Sequence, residues 1–362
     1  MALRLVFCGD TMLHPTAFGA TPFKQVEHIT RNAHLAFCNL EACVGAIGEA
    51  RKKRHILSTR VEDFVFLKEA GFHVLNLANN HTQDFGTKAC REMITNLRDQ
   101  GFKLVGLAAQ GDAIPVIMEV NGRKIGLLGY ANYGFQDDLM PLRPSKVIAA
   151  VSSLKQDVDL VIVSLHWGFE LVQYPSPWQQ RFARQLIECG AHLVIGHHPH
   201  VIQGIERFKN GLIAYSLGNF QFRLDGMSES LSVGNGIILS TEVTDRGKID
   251  YQLISVQTTQ EKEVVPDIDQ QNIRERVAVL SCPLQGRRIA RLFWLQEASK
   301  RYFPLQIEAW RYRIREFGLR EVPRLVQWFC NPLNSGLGLF YLWNLITGRI
   351  TENDNLTAKT RL

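Results

Sequence analysis

The sequence predicts an α/β fold built around two mixed β-sheets. Short apolar runs typical of strands alternate with helical segments, and the helices end close to a glycine, as helix C-termini favour. The predicted helices of this part of the chain are Val61 to Ala70, Gly86 to Gln100 and Trp178 to Cys189. Two further apolar runs flank Asn121-Gly122, a dipeptide typical of a tight hairpin turn. Hairpins among βα units favour two mixed sheets over one parallel sheet.

Five apolar runs predict strands that each end close to a polar side chain. In chain order they are Leu3 to Cys8, Leu35 to Cys38, Val74 to Leu77, Leu160 to Leu165 and Leu193 to Ile195. The polar side chains at or just beyond their ends are Asp10, Glu41, Asn80, His81, His166, His198 and His200. Because the binding crevice of an α/β sheet opens at the strand ends, we expect these side chains to share one pocket.

The residue types at these strand ends suit a divalent cation. Asp10 offers a carboxylate, Glu41 is placed to bridge two metals, Asn80 fits a ligand and His81 a proton donor. Two metals ~3.5–4 Å apart lower the pKa of bound water and stabilise the negative charge that develops in hydrolysis. Imidazole with carboxylate favours manganese, zinc or iron over magnesium alone, and one or two ions are compatible with the pattern.

Each motif taken alone has a simpler interpretation. Gly9-Asp10 is typical of an ordinary turn, Glu41 of a solvated carboxylate, and Asn79-Asn80-His81 of a helix start. The run Gly196 to His200 is different, because three imidazoles within four residues repel one another when charged and seldom fill a core. The joint occurrence of all these motifs, each behind a strand, favours the metal site.

These motifs together resemble one protein family. The segments that carry the resemblance are Gly9-Asp10-Thr11-Met12-Leu13, Asn39-Leu40-Glu41, Leu77-Ala78-Asn79-Asn80-His81 with Asp84 and Gly86, His166-Trp167-Gly168 with Glu170, Gly196 to Val201, and Tyr215 to Phe220. They are similar to the CapA-type capsule or poly-γ-glutamate biosynthesis proteins, which belong to the calcineurin-like metallophosphoesterase superfamily. The resemblance covers roughly residues 1 to 256.

The resemblance implies a four-layer α/β/β/α sandwich, here followed by a C-terminal helical extension. It implies that the metal ligands are Asp10, Glu41, Asn80, His166, His198 and His200. It further implies that His81 protonates the leaving group, and that Glu170, Tyr215 and Asn219 line the site. Met12 stands where simpler phosphoesterases have a ligating histidine, and His192 stands where the family commonly has aspartate. We expect His192 to be a surface residue without mechanistic weight.

A basic segment follows Glu41. The chain has a formal net charge of +6, and Arg51, Lys52, Lys53 and Arg54 contribute to it locally. These residues form either a solvated loop or an electropositive rim that concentrates an anionic small molecule or polymer near the metals. The interleaved basic and aromatic residues of a nucleic-acid-binding module do not occur.

The chain changes character after about residue 260, which predicts two domains, 1–260 and 261–362. The second consists of predicted helices at Asp267 to Val279, Arg288 to Ser299, Leu305 to Phe317 and Glu321 to Cys330, then the apolar run Gly336 to Ile346. That last run is expected to pack on the body or a partner, with contact to a membrane surface as the alternative. We expect the last ~12 polar residues to be disordered.

The cysteines and the apolar runs predict where the protein works. Seven widely spaced cysteines without a Cys-x-x-Cys pair indicate reduced packing residues, and the first strand begins by Leu3, which leaves no space for a signal peptide. No apolar run approaches the ~20 residues of a transmembrane helix. We expect a cytoplasmic protein whose oligomeric state the sequence leaves open.

Two functional hypotheses follow. The first is a metal-dependent hydrolase acting on a phosphoester, the default of the superfamily, or on a γ-glutamyl or related amide bond, as the capsule resemblance implies. The second is a non-catalytic accessory protein that binds an anionic polymer or its synthase. Metal content and hydrolysis of purified protein separate them.

Overall fold

The computed structural model of the chain describes residues 2–14, 16, 19–45, 48–51, 53, 55–132, 138–223, 235–267 and 270–347. Two large β-sheets dominate these residues. The strands, in chain order, are β1 (Leu3–Thr11), β2 (Leu35–Leu40), β3 (Cys43–Val44), β4 (Ser58–Thr59), β5 (Val74–Asn76), β6 (Lys103–Val105), β7 (Ala108–Ala109), β8 (Asp112–Ala113), β9 (Val116–Val120), β10 (Arg123–Ala131), β11 (Leu160–His166), β12 (Leu193–His197), β13 (Ile205–Phe208), β14 (Gly211–Ala214), β15 (Asn219–Gln221), β16 (Asn235–Val243), β17 (Ile249–Thr258) and β18 (Val264–Pro266).

The helices lie outside the sheets. They are α1 (Glu27–Arg31), α2 (Phe64–Glu69), α3 (Gly86–Asp99), α4 (Pro144–Leu154), α5 (Pro177–Glu188), α6 (Gln270–Ser281), α7 (Arg291–Phe317), α8 (Val322–Cys330) and α9 (Pro332–Ile346). Helix α5 begins at a capping box in which the Ser176 hydroxyl accepts the Gln179 N–H and the Gln179 amide accepts the Ser176 N–H.

Each large sheet is mixed. One runs in the order β18-β17-β16-β1-β2-β5-β6, with β15 also paired to β1, and the other in the order β13-β14-β12-β11-β10-β9. Strands β1, β2, β5 and β6 are parallel, as are β10, β11 and β12, so the carboxyl ends of each set lie at one edge. This is the topology that delivers side chains from distant parts of the chain to a common crevice.

Three apolar clusters fill the spaces between the layers. One lies between the two sheets and joins Phe7 and Phe37 of the first to Ile162 and Ile195 of the second. A second packs the outer face of the first sheet against α2 and α3, and a third packs the second sheet against α4, α5 and α7. The predicted four-layer α/β/β/α arrangement is therefore confirmed.

Most of the predicted elements are present, but the C-terminal region differs in one respect. The predicted helices Arg288 to Ser299 and Leu305 to Phe317 are one continuous helix, α7, with Pro304 inside it. Proline costs an internal helix about 3 kcal/mol or more, and this cost is offset by the packing of flanking residues such as Trp294 and Phe303 against the second sheet's layer. The predicted apolar segment lies within α9, whose Leu337 and Gly338 are buried.

Three expectations concern the chain as a whole, and two of them fall on residues that the structure describes. Among the helices within the described ranges, none has both the length and the apolar character required to cross a bilayer. Cys8, Cys38, Cys43 and Cys90 are buried free thiols, but Cys282 and Cys330 are exposed, so these two are not packing residues. The last dozen residues lie outside the described part of the chain.

Candidate metal centre

The carboxyl ends of β1, β2, β11 and β12 meet at one edge of the two sheets. In the strand register Asp10 lies opposite Asn39, and His166 lies opposite His197. Glu41 follows β2 directly, while His198 and His200 follow β12 with positive φ angles of 96° and 56°. Such angles are uncommon for residues other than glycine and mark a backbone that the surrounding structure holds in place.

Two groups of three side chains bring their ligand atoms within 4.8 Å of one another: Glu41 with His166 and His198, and Asp10 with Glu41 and His200. Glu41 belongs to both groups. Its Oε1 lies 3.5 Å from His166 Nε2 and 3.8 Å from His200 Nε2. Asp10 Oδ2 lies 3.3 Å from His200 Nδ1. A shared carboxylate between two sets of donors is the arrangement expected for a pair of metals.

Asn80 joins this cluster through His166. Its Oδ1 lies 2.6 Å from His166 Nε2, the same nitrogen that faces Glu41. The structure therefore gathers all six residues predicted as ligands in one place. Their role as ligands stays a prediction, since it depends on how they behave with a cation.

The state of Glu41 tests whether these residues fit a cation. Glu41 is fully buried, and neither carboxylate oxygen has a hydrogen-bond partner among the described residues. Burial raises the pKa of Glu41 well above its usual range, and the nearby charge of Asp10 raises it further. A buried carboxylate without a partner is costly, whereas a divalent cation at the cluster would hold it ionised. The residues fit a metal.

Two of the three imidazoles proposed as ligands, His166 and His198, favour the neutral state that metals require. Burial lowers the pKa of His166 and His198 well below the usual range, and neighbouring imidazoles add to the effect. A neutral imidazole is the form that ligates a cation. Burial also lowers the pKa of His200, but Glu41 and Asp10 outweigh it and raise that pKa to about 10. His200 therefore differs from His166 and His198, because a cation bound at the cluster has to displace the proton that its raised pKa favours.

Asp10 is held by several groups. Burial raises its pKa, but the adjacent imidazoles of His197 and His200 outweigh this and keep the pKa well below the usual range. Asn39 Nδ2 donates to Asp10 Oδ1 at 2.8 Å, and the backbone N–H of His198 donates to Oδ2 at 3.2 Å. The Asp10 carboxylate therefore has a fixed orientation.

His81, the predicted proton donor, lies beside the cluster. Its Nε2 is 3.9 Å from Glu41 Oε1, and its Nδ1 is 2.7 Å from Asp84 Oδ2. Burial lowers the pKa of His81, an effect that Asp84 opposes and Lys53 reinforces. The ring thus presents one nitrogen to the cluster and the other to a buried carboxylate.

The basic loop contacts the same segment. Lys53 forms an ion pair with Asp84, and its Nζ lies 2.9 Å from the Asn80 carbonyl oxygen and 3.1 Å from His81 Nδ1. Arg51 donates to the Gln83 side chain at 3.4 Å. Lys52 and Arg54, the other two residues of the predicted rim, lie outside the described residues. Lys53 is thus built into the surroundings of His81 rather than projecting from a rim.

The three residues predicted to line the site lie in different places. Asn219 Oδ1 is 2.9 Å from His200 Nδ1, so it contacts a predicted ligand. Glu170 is half-buried, and its charge raises the pKa of both Glu41 and His200. Tyr215 is not brought to the cluster: its hydroxyl donates to Glu206 at 2.7 Å, and its ring stacks on Trp167 in the outer core.

Several residues near the cluster were assigned no role from the sequence. Asn39 donates to Asp10, and its Oδ1 accepts from Asn76 at 2.8 Å and from Asn79 at 3.3 Å. His197 is fully buried with Nδ1 3.5 Å from Asp10 Oδ1, and neither ring nitrogen hydrogen-bonds to a described residue. Both lie within the motifs quoted above. A polar amide or imidazole inside an apolar strand is the sequence feature from which their contact with Asp10 could have been predicted.

Two residues singled out in the sequence, Met12 relative to simpler phosphoesterases and His192 relative to the family, have packing roles. Met12 is buried in a small apolar cluster with Ala42, Leu57 and Phe222. His192 is half-buried, and its Nδ1 accepts the backbone N–H of Val161 at 3.0 Å. The expectation of a surface histidine is therefore wrong, because this side chain continues the hydrogen bonding between β11 and β12.

The chain is similar in sequence to known proteins of one family. Residues 4–223 match the profile of the family described as "Bacterial capsule synthesis protein PGA_cap". "Capsule biosynthesis protein CapA" of Bacillus anthracis is 36% identical over 188 residues, which cover 48% of this chain and 46% of that protein. "PGA biosynthesis protein CapA" of Bacillus subtilis is 35% identical over 214 residues, covering 55% of this chain and 56% of that protein. The chain thus matches about half the length of these relatives.

More distant similarity extends further along the chain. A "Probable polyglutamine synthesis accessory protein" of Mycobacterium tuberculosis is 26% identical over 249 residues, covering 62% of this chain and 66% of that protein. Among solved structures, a novel phosphatase of Mycoplasma pneumoniae aligns with a TM-score of 0.48 and 16% identity, covering 75% of this chain and 97% of that one.

Proposed function

The chain belongs to the PGA_cap family of bacterial capsule synthesis proteins, and from this premise we propose that it is a metal-dependent hydrolase acting in capsule or poly-γ-glutamate metabolism. The observation that carries the proposal is Glu41, a fully buried carboxylate without a hydrogen-bond partner among the described residues, surrounded by the imidazoles of His81, His166 and His200. A structural carboxylate in a core is paired, whereas a metal ligand is aimed at open coordination space.

The proposed ligands are Asp10, Glu41, Asn80, His166, His198 and His200. They would hold one or two divalent ions of manganese, zinc or iron, and Glu41 would be shared. Such ions lower the pKa of water and stabilise the negative charge that develops on a phosphoryl or acyl oxygen. Asn39 fixes the Asp10 carboxylate, and Asn219 fixes the ring of His200. These contacts are of the kind that orient metal ligands.

His81 is the proposed general acid. Asp84 accepts at Nδ1, which leaves Nε2 as the nitrogen that faces the cluster and the place of the leaving group. The step requires the imidazolium form, in which both ring nitrogens carry a proton. Nε2 gives its proton to the departing oxygen or nitrogen as the bond breaks, Nδ1 keeps its proton against Asp84, and solvent then restores the proton on Nε2. Lys53 holds Asp84 and the Asn80 carbonyl oxygen, and so keeps the acid beside the proposed ligand.

The scissile bond is either a phosphoester or a γ-glutamyl amide, and both suit this constellation. Purified protein stripped of metal and reconstituted with manganese, zinc or iron should be assayed against phosphomonoesters, phosphodiesters and γ-glutamyl peptides. We expect hydrolysis of one class, dependent on the added ion. If none of the three classes is hydrolysed and the protein retains no ion, the hydrolase proposal is wrong.

A non-catalytic accessory role is the second candidate, and the relative from Mycobacterium tuberculosis described as an accessory protein favours it. In that case the protein binds an anionic polymer or its synthase. Poly-γ-glutamate binding measured by calorimetry, without hydrolysis in the presence of any of the three ions, would support this role.

We also propose that the protein works in a reducing compartment such as the cytoplasm, which its free cysteines support.

A further inference from the structure

Helices α8 and α9 carry large apolar side chains that the described part of the chain leaves exposed. On α9 these residues recur at intervals of three or four and therefore share one face. Together the exposed residues form what we call the apolar stripe: Val322, Val326 and Phe329 of α8, and Leu339, Leu342, Trp343 and Ile346 of α9. Leu339 is 69% exposed and Ile346 is 81% exposed. Apolar residues grouped in this way mark a surface that binds something.

The other face of α9 fixes the helix to the body. Leu337 and Gly338 are buried, and a side chain at Gly338 would meet the Phe303 ring of α7 at 3.1 Å. Asn344 is also buried and donates to the Ser299 hydroxyl at 3.1 Å. Because α9 is held by this face, the apolar stripe is not needed to attach the helix to the fold.

The region around the stripe is strongly basic. Between Arg287 and Ile346 there are ten arginine and lysine residues and four glutamates, an excess equal to the net charge of +6 of the whole chain. All four glutamates are already in ion pairs, with Lys300, Arg311, Arg313, Arg315 and Arg324 as partners. No acidic residue follows Glu321 in α8 or α9. The uncompensated positive charge therefore lies on α7 and just before α8, at exposed residues such as Arg291, Arg301 and Arg320. The exposed apolar side chains lie on α8 and on α9, which packs against α7.

We infer that α8 and α9 dock on the surface of an anionic lipid bilayer, with the apolar stripe entering the interface and the arginines contacting headgroups. Exposed apolar side chains together with positive charge favour an anionic bilayer over the other possible partners. A second copy of the chain would bring two positive surfaces together, and a soluble polyanion offers no apolar phase for leucine and tryptophan. Helices that expose apolar side chains next to basic residues bind anionic membranes in two ways: the apolar side chains enter the lipid, and the basic side chains attract the headgroups. Tryptophan favours the interface between lipid and water. The inference is independent of the proposed hydrolase activity.

Helix α7 links this surface to the metal centre. Its Tyr302 packs edge-on against Phe169 at 4.7 Å, and its Leu305 packs against Leu171. Phe169 and Leu171 belong to the segment that follows His166. Docking of α8 and α9 therefore places the helix that flanks the candidate metal centre next to the bilayer.

Flotation with lipid vesicles tests the inference on the full chain. The vesicles contain phosphatidylcholine alone or phosphatidylcholine with a third phosphatidylglycerol, each at low and high salt. One variant combines Leu339→Ser, Leu342→Ser, Trp343→Ser and Ile346→Ser. A second combines Arg291→Gln, Arg301→Gln and Arg320→Gln, all of which are exposed. The matched control combines Val65→Ser, Ile114→Ser and Ile117→Ser, which removes exposed apolar side chains elsewhere. Circular dichroism and the thermal midpoint confirm that each variant folds.

We expect the wild-type protein and the control to float with phosphatidylglycerol vesicles and to lose binding at high salt. The serine variant should lose at least nine-tenths of the bound fraction. The partition coefficient should fall roughly fivefold for each arginine removed. Equal binding of the serine variant and the wild type, or absence of wild-type binding to anionic vesicles, would overturn the inference. A wild-type dimer that the serine variant converts to a monomer, seen by light scattering, would assign the stripe to a second copy instead.

Discussion

The imidazole Nδ1 of His81 lies 2.7 Å from the Asp84 carboxylate, and both side chains are buried. Asp84 also accepts the backbone N–H of Leu57 at 2.8 Å, so its position is fixed from a second direction. A carboxylate at Nδ1 requires the proton on that nitrogen and sets the orientation of the ring. His81 Nε2 therefore faces Glu41, which is the orientation that the proposed general acid requires.

We expect His81→Asn to lower kcat by about 10²- to 10⁴-fold on substrates with poor leaving groups, because a general acid contributes that much. The loss should be much smaller on an aryl ester whose leaving group needs no proton. Asp84→Asn should show the same dependence on the leaving group with a smaller loss, since Asp84 acts through His81. Steady-state kinetics on the two substrates measure this, with Asp245→Asn at an exposed position as control. Equal losses on both substrates would contradict a role as acid.

Metal binding should depend on residues around Asp10 as well as on the proposed ligands. We expect Asp10→Ala and His198→Ala to lower the bound metal, measured by elemental analysis, and to abolish hydrolysis. Asn39→Ala should weaken metal binding by roughly tenfold to 100-fold, because Asn39 donates to Asp10 and the loss of a residue that orients a ligand has that effect. His28→Ala, at an exposed position, serves as control. Unchanged metal content in Asp10→Ala would refute the proposed centre.

The residues that converge at the cluster could be predicted because their positions depend on local rules. An apolar run fixes a strand, and the first polar residues beyond it must lie at the sheet edge, which places Asp10, Glu41 and His166 without knowledge of the rest. The parallel order of the strands follows from the helices between them. Both predictions required only the local sequence and general topology.

Other features depended on contacts across the fold and were not predictable in this way. Whether Asn39 ends as a solvated amide or as a buried donor to Asp10 is decided by the neighbouring strands β1 and β5, which supply Asp10 and Asn76. Pro304 indicates a helix break locally, but the packing of α7 overrides it. Lys53 lies in a run of basic residues typical of a solvated loop, yet it pairs with the buried Asp84. In each case a tertiary partner outweighs the local tendency.

Tyr215 was predicted to line the site, but its hydroxyl donates to Glu206 and is directed away from the cluster. We expect Tyr215→Phe to leave kcat and KM within about a factor of two. The free energy of unfolding should fall by about 1–3 kcal/mol, because Glu206 loses a buried hydrogen bond. Urea denaturation measures the second effect. A large loss of activity at unchanged stability would instead return Tyr215 to the substrate site.

The basic loop should separate into two kinds of residue. We expect Lys53→Met to lower kcat with little change in KM, because it removes the partner of Asp84. Lys52→Ser with Arg54→Ser should raise KM for an anionic substrate, and the effect should disappear at high salt if the predicted rim exists. Kinetics at two ionic strengths distinguish these outcomes. A purely KM effect of Lys53→Met would place this residue in the rim after all.

The same reciprocal pair of hydrogen bonds recurs at the start of four parallel strands. The residue before each strand donates its backbone N–H to the neighbouring strand, and its side chain accepts an N–H in return. These residues are His34, His73, Asp159 and His192. Histidine and aspartate both serve here because each offers an acceptor at similar reach. An imidazole can accept in this way only when Nδ1 carries no proton.

The stability of the protein should therefore report on His192 as pH falls. Burial, with Lys155 nearby, lowers the pKa of His192 to about 4, whereas an unfolded histidine titrates near 6.5. The unfolded chain takes up the proton first, so the contribution of His192 is complete above pH 6.5 and declines as pH falls to about 4. In His192→Asp the acceptor stays ionised at pH 5. We expect the urea midpoint of the wild type to fall more between pH 7 and pH 5 than that of His192→Asp, while the exposed His28→Asp follows the wild type. Parallel pH profiles for the wild type and His192→Asp would show that the imidazole is not a titrating link in the sheet.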